Sequence, residues 1–108
     1  MDKQAVITLV VERKYGDKVA DAVVKSGALG ATYFYGRGTG LRQKLGLLGF
    51  FIEAEKQIIM AVVPEDKAKD ILDKTVRAAA IDKPGKCFAF VQPVTYAVDF
   101  MDRDFGAK

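Results

Sequence analysis

Apolar and polar positions follow two different periods along this chain, and the two periods predict its strands and helices. Unbroken apolar runs of a few residues, rich in β-branched and aromatic side chains, predict strands. These runs are Gln4–Val11, Ala31–Tyr35, Leu47–Ala54, Gln57–Val63 and Cys87–Val91. Glu55 and Lys56 are predicted to form the turn between the third and fourth runs, and Pro93 is predicted to end the last one.

Two segments repeat apolar residues every three or four positions, which is the period of a helix packed on a sheet. The first covers Asp17–Ser26, and Gly27 suits its C-terminal end. The second covers Glu65–Ala80, where Pro64 and the acidic residues of the first turn favour the start of a helix. The predicted stripe of the second helix consists of Ala68, Ile71, Leu72, Thr75, Val76 and Ala79.

The order of these elements predicts a ferredoxin-like α+β sandwich, βαββαβ, with one antiparallel sheet and two helices on one face. A faint internal repeat agrees with this order. An offset of 53 residues aligns Lys3-Gln4 with Lys56-Gln57 and Val23 with Val76. Each half of the chain is then expected to fold as strand, helix, strand.

A basic, glycine-rich segment follows the second predicted strand. Between Gly30 and Ile52 it contains several glycines, Arg37, Arg42 and Lys44, and no acidic residue. Backbone N–H groups in glycine turns form concavities that bind anions, and basic side chains add charge of the required sign. We expect a mobile loop over residues 37–49 that meets an anion.

Length and composition narrow the class of protein. The 108 residues suit one domain, 1–108, with a charged tail over 94–108, and the net charge of +3 fits a small phosphorylated ligand better than duplex nucleic acid. The chain contains no His and one cysteine, Cys87, so we expect neither a metal site nor a catalytic function. Without a signal-like N-terminus or an apolar span, a cytoplasmic protein is expected, which a membrane-bound partner can recruit.

Two basic glycine turns are predicted to lie near one cleft with Thr32. One contains Gly36, Arg37 and Gly38, and the other contains Gly85 and Lys86. Backbone amides, one arginine and one lysine are typical of a phosphate site, although neither turn matches a Walker A or dinucleotide motif. The alternative interpretation is two solvated turns with ordinary surface charges.

Aromatic residues add two further hypotheses. The run Lys86–Val91 resembles the signature strand of an RNA-recognition domain, in which Phe88 and Phe90 would stack on bases. Neither possible partner strand has an aromatic residue for a second base, so we expect no nucleic acid as partner. Tyr33 to Tyr35 put aromatics on both faces of their strand, and we expect the face away from the helices to form an oligomer interface.

Over essentially the whole chain, several segments together resemble the P-II signal-transduction superfamily. Gly30-Ala31-Thr32 is similar to the family's Gly-Met-Thr, and Gly36-Arg37-Gly38 is similar to the Gly-Phe-Gly-Arg that opens its T-loop. Val62-Val63-Pro64-Glu65-Asp66 resembles its Val-Val-Pro-Asp-Asp junction. The segment Ala78–Phe90 is similar to its B-loop and the strand that follows.

The resemblance implies a non-enzymatic homotrimer that binds adenine nucleotides between subunits and regulates an enzyme or membrane transporter. By position, the ligand-binding residues would be Val10, Thr32, Gly36, Arg37, Gly38, Val62, Gly85 and Lys86. Thr39, Gly40, Arg42 and Lys44 would form the loop that contacts the partner. The expected effector is ATP, ADP, AMP or a cyclic nucleotide, and no cofactor is expected.

The chain departs from the family pattern in its short T-loop, which has no Tyr or Ser over residues 37–49, and in its C-terminal charges. Where the family places paired arginines after the last strand, this chain has Asp99 and Met101. A less charged ligand, such as AMP, a cyclic nucleotide or bicarbonate, becomes more plausible than ATP. A trimeric CutA-type metal-tolerance protein is the main alternative, followed by a single-stranded RNA-binding module.

Overall fold

The computed structural model describes residues 3–38, 54–80 and 87–98, which form four strands and two helices. The strands are β1 (Gln4–Glu12), β2 (Thr32–Gly38), β3 (Ala54–Pro64) and β4 (Cys87–Val94). The helices are α1 (Gly16–Lys25) and α2 (Ala68–Ala79). Each helix follows a short 3₁₀ turn, over Arg13–Tyr15 and Glu65–Lys67.

The strands form one antiparallel sheet in the order β2-β3-β1-β4. In the middle of the sheet, Val10 of β1 is paired with Ile58 of β3 on one side and with Phe88 of β4 on the other. The strand order and the two helices confirm the predicted ferredoxin-like α+β fold.

Both helices pack on the same face of the sheet, here called the helix face. Most side chains of β1 and β3 that point to this face are fully buried, among them Ile7, Leu9 and Ile59. From α1, Val19 and Val23 complete the core. Burying each such side chain contributes about 1.5–3 kcal/mol, so this layer is the main source of stability.

The stripe predicted for α2 is confirmed at its central positions and wrong at one. Ala68, Ile71, Thr75 and Ala79 are buried, whereas Val76 is 45% exposed. The Thr75 hydroxyl donates a hydrogen bond to the Ile71 carbonyl at 2.7 Å, so its burial leaves no unsatisfied donor. Residue 76 lies at the rim of the stripe, where α2 turns toward solvent.

The predicted turn at Glu55 and Lys56 is wrong, because both residues lie inside β3. Glu55 pairs with Arg37 of β2, and Lys56 pairs with Gly36 of β2 and with Glu12 of β1. Cross-strand partners outweigh the low strand propensity of a Glu-Lys dipeptide. Of the three strands predicted between the helices, the described residues form two, β2 and β3, and the third, Leu47–Ala54, lies almost entirely outside them.

Two strands, β2 and β4, extend beyond the ends that the sequence predicts. β2 continues through Gly36, Arg37 and Gly38, which were assigned to the glycine turn, because β3 supplies a paired neighbour for each. β4 continues past Pro93 to Val94, since an edge strand tolerates the missing N–H. The predicted strand over 47–53, the turn over 82–85 and the tail over 99–108 lie outside the described residues.

The internal repeat agrees with the observed elements. Shifting the first half by 53 residues brings β1, its 3₁₀ turn, α1 and β2 onto β3, the second 3₁₀ turn, α2 and β4, with ends that differ by a few residues. The two halves interleave in the sheet, since each half contributes one central strand and one edge strand.

Candidate functional site

The face of the sheet opposite the helices, here called the open face, carries large apolar side chains that no described residue covers. Phe34 is 49% exposed and Phe88 is 59% exposed. The rings of Phe88 and Phe90 lie with their centroids 5.7 Å apart. The apolar residues of the open face are Val6, Val10, Phe34, Ile58, Met60, Val62, Phe88 and Phe90. Contiguous exposed apolar surface of this kind marks a binding or interface surface.

Glu12, Lys56 and Gly36 form a row across the open face, here called the charged row. They stand directly opposite one another on β1, β3 and β2. Lys56 is only 9% exposed, and its ammonium group makes no ion pair or hydrogen bond with a described residue. Glu12 brings a carboxylate to the same row, so the row carries little net charge and suits an anion of low charge.

Gly36 has no side chain, and a side chain of the neighbouring strand β3 occupies the space beside it. A Cβ at this position would lie 3.1 Å from Cδ1 of Ile58, closer than ordinary van der Waals contact. At Gly38, a Cβ would lie 3.9 Å from Cγ of Lys56, so the lysine stem runs beside this second glycine. The glycines therefore let two β3 side chains lie over the edge strand.

Along β2 and β3, the open face changes from polar to apolar and then to charged. Thr32 pairs with Met60, Phe34 pairs with Ile58, and Gly36 pairs with Lys56. This track of three pairs spans about 13 Å, because residues in a strand rise about 3.4 Å each. A hydroxyl at one end, apolar side chains in the middle and a cation at the other end suit a ligand with a flat apolar part and an anionic part.

The structure brings most of the described predicted site residues to the open face. Gly36 belongs to the charged row, and Gly38 is the next residue of β2 on the same face. Val10 is the residue of β1 on this face that precedes Glu12. Thr32 and Val62 lie at the opposite end of the same face, Val62 four residues beyond Ile58. Arg37 lies on the helix face, because it alternates with the two glycines and pairs with Glu55.

The remaining predicted residues lie outside the described residues: Thr39, Gly40, Arg42, Lys44, Gly85 and Lys86. The strands that flank them are described. β2 ends and β4 begins at the same end of the sheet. Gly36 of β2 pairs with Lys56, and Cys87 of β4 pairs with Val11, one residue before the Glu12 that pairs with Lys56. They are nevertheless at opposite edges, three strand spacings or about 14 Å apart within one chain.

A second cluster, here called the Arg13 cluster, lies on the helix face behind the charged row. Nη1 of Arg13 is 3.2 Å from both carboxylate oxygens of Glu55. The guanidinium carbon of Arg13 lies 5.1 Å from the centroid of the Tyr35 ring, a cation–π distance. One side chain therefore joins β3 to β2 from the end of β1.

Sequence reasoning missed both Lys56 and the Arg13 cluster. Lys56 was assigned to a turn, although continuing the alternation of β3 back from the buried Gln57 places it on the open face. No local sequence pattern indicates the Arg13 cluster, because Arg13 and Glu55 are 42 residues apart in the chain. It becomes visible only when the register of β2 and β3 is known.

The described residues give little support to a nucleophilic cysteine, a metal site or a membrane-spanning helix. Burial raises the pKa of the Cys87 thiol, which disfavours the thiolate needed of a nucleophile. Within residues 3–38, 54–80 and 87–98, no group of three His, Cys, Asp or Glu side chains could hold a metal ion. In the same ranges, neither helix has the length and apolar character needed to cross a membrane.

Comparison with known families gives one match over nearly the whole chain. The family model described as nitrogen regulatory protein P-II matches residues 4–100. No curated protein matches the chain in a sequence search.

Solved structures share the fold at low sequence identity. An Arabidopsis thaliana PII bound to citrate has a TM-score of 0.68 and 22% identity, covering 93% of this chain and 85% of that one. A DUF3240 family protein from Shewanella baltica has a TM-score of 0.69 and 11% identity, covering 93% and 99%. A Bacillus cereus protein related to NIF3 has a TM-score of 0.69 and 18% identity over 88% of this chain, which spans only 26% of that protein.

Proposed function

Because this chain belongs to the P-II family of signalling proteins, we propose that it is a non-enzymatic regulator whose open-face site binds a small anionic ligand, most simply an adenine nucleotide. The ligand lies between protomers of a homotrimer. Its binding changes the affinity of the loop containing Thr39, Gly40, Arg42 and Lys44 for a regulated enzyme or membrane transporter.

The track from Thr32 to Lys56 is the observation that carries this proposal. A base packs on the apolar middle of the track, against Phe34 and Ile58, and the Thr32 hydroxyl bonds to a polar edge of the base. The phosphate lies at the charged row, where Lys56 supplies the cation and the backbone at Gly36 is accessible. One such lysine suits a ligand of low charge, such as AMP or a cyclic nucleotide, better than a triphosphate.

The homotrimer follows from the apolar open face and the position of the two edges. Three copies that turn their open faces inward bury Phe88, Phe90 and their neighbours, and leave the track along β2 and β3 at the boundary between protomers. β2 and β4 are the opposite edges of one sheet, so a site between the β2 edge of one protomer and the β4 edge of the next brings the end of β2 close to the start of the neighbouring β4. Gly85 and Lys86 then contact the phosphate from the neighbouring protomer.

Control of the partner requires a ligand that prefers one state of the loop. The charged row lies two residues from the end of β2, where the chain enters residues 39–53. An anion bound at the row changes the charge next to the start of this segment, and so changes the affinity of its basic residues for an acidic surface.

The test is calorimetric titration of the protein with AMP, ADP, ATP, cyclic AMP and bicarbonate, with the mass in solution measured in parallel. Replacing Lys56 with Gln is expected to weaken binding of AMP at least tenfold, since a charge-assisted contact is worth about 1.5–3 kcal/mol. Lys69→Gln, on the exposed surface of α2, is the control and retains wild-type affinity. Equal affinity of the Lys56 variant removes this lysine from the site.

One observation keeps the RNA-binding alternative testable, because Phe88 and Phe90 are exposed side by side. Single-stranded RNA binding would show affinity that falls steeply with salt and disappears in Phe88→Ala. The proposed regulator shows no such binding. A titration with divalent metal ions tests the CutA-type alternative in the same way.

A further inference from the structure

The charged row and the Arg13 cluster are joined residue by residue through the backbone. Glu12, Lys56 and Gly36 form the row on the open face. Their chain neighbours Arg13, Glu55 and Tyr35 form the cluster on the helix face. In a strand, neighbouring residues point to opposite faces, so holding Glu55 and Tyr35 in place also fixes the orientation of Lys56 and Gly36.

At the end of β2, few side chains besides Arg37, which has an interaction of its own, hold the strand in place. β2 is an edge strand, and two of its last three residues are glycines, which contribute no side-chain packing. The helices do not compensate, because α1 and α2 pack on β1, β3 and each other. Arg13 supplies a connection that crosses from the end of β1 over β3 to Tyr35.

We propose that Arg13 is a positioning residue for the anion site: by gripping Glu55 and Tyr35 on one face, it fixes Lys56 and Gly36 on the other. The position of Lys56 depends on this contact whether or not a ligand is present. The consequence for affinity rests on the function proposed above.

The ion pair between Arg13 and Glu55 is weak, so its loss is expected to act locally rather than on global stability. The side chains of Arg13 and Glu55 are more than half exposed, so the ion pair contributes little to global stability. Its loss is therefore expected to leave the unfolding midpoint unchanged and to act only on the local geometry at the charged row. This separation distinguishes a positioning role from a structural one.

The test compares Arg13→Gln with the wild type by two measurements. The first is the rate at which the Lys56 amine reacts with acetic anhydride, measured by mass spectrometry relative to Lys69 and Lys74. We expect a rise of about threefold or more, since the buried amine becomes accessible. The second is calorimetric titration with AMP, for which we expect about threefold to tenfold weaker binding.

Two further variants serve as controls. Arg13→Lys keeps the charge but loses the planar contact with Tyr35, so it is expected to restore only part of the wild-type behaviour. Lys25→Gln breaks another exposed ion pair, to Asp21 at 2.9 Å on α1, and is expected to change neither measurement.

Each outcome has one meaning. Unchanged reactivity of Lys56 in Arg13→Gln overturns the positioning role, as does a rise of equal size in Lys25→Gln. Raised reactivity with unchanged AMP affinity overturns the link between Lys56 position and binding. Raised reactivity in a protein whose wild type binds no nucleotide supports the role of Arg13 and rejects the nucleotide as ligand.

Discussion

At the scale of single residues, alternation along a strand gives neighbouring side chains different roles. Lys56 lies on the open face within the candidate site, whereas Gln57 is 1% exposed beneath α1. On β4, Phe88 is exposed and Cys87 faces the core, beside a cavity of about 20 Å³ that Leu9 and Thr75 also line. Burial raises the pKa of the Cys87 thiol, so the folded protein retains this proton at a pH where the unfolded chain has lost it.

This difference predicts how Cys87 couples stability to pH. Because the folded state holds more protons than the unfolded state in this range, the free energy of unfolding falls as pH rises through the titration of the thiol. Urea unfolding from about pH 7 to about pH 10 measures the decline. The Cys87→Ala variant is less stable throughout but is expected to decline less steeply. Parallel curves for the two proteins would contradict the assignment.

At the scale of elements, the contact between α1 and β3 decides how the first helix lies on the sheet. Gly16 is the buried first residue of α1, and a Cβ there would overlap the side-chain amide of Gln57. Gln57 is 1% exposed, so its amide has little space to move into, and its Nε2 atom has no hydrogen-bond partner among the described residues.

Replacing Gly16 with Ala is therefore expected to destabilise the protein by about 1–3 kcal/mol, the usual cost of overpacking. Chemical denaturation provides the measurement. Gly30→Ala is the matched control, because nothing lies within 4 Å of the added Cβ. The double variant Gly16→Ala/Gln57→Ala is expected to remove the clash, and its stability should be close to that of Gln57→Ala alone.

The elements also show how far local sequence patterns reach. The apolar runs and the helical period predict both helices, the four strands and their layer arrangement, since burial imposes those periods. They fail at Glu55 and Lys56, where only pairing with β1 and β2 makes a polar dipeptide part of a strand. For the same reason, the sequence patterns predict neither the burial of Lys56 nor the face on which Arg37 lies. The contributions of Gly85 and Lys86 stay predictions.

At the scale of the whole molecule, the apolar open face is covered by none of the described residues. Phe88→Glu places a carboxylate on this face and is expected to dissociate the proposed homotrimer to monomers or to precipitate the protein. Light scattering coupled to size exclusion measures the mass. Val24→Glu, at a half-exposed position on α1, is the control and should leave the mass unchanged. A wild type that runs as a monomer would refute the proposed assembly.

The interleaving of the two halves in the sheet also determines how the chain folds. β1 and β2 belong to the first half, yet β3 separates them, so neither strand has a paired neighbour until the second half exists. A ribosome must therefore release Ala54 and the residues that follow it before any of these strand pairs can form. Contacts so distant in sequence make folding slower than in helical bundles of this length, and they make it cooperative, with no stable half-folded species.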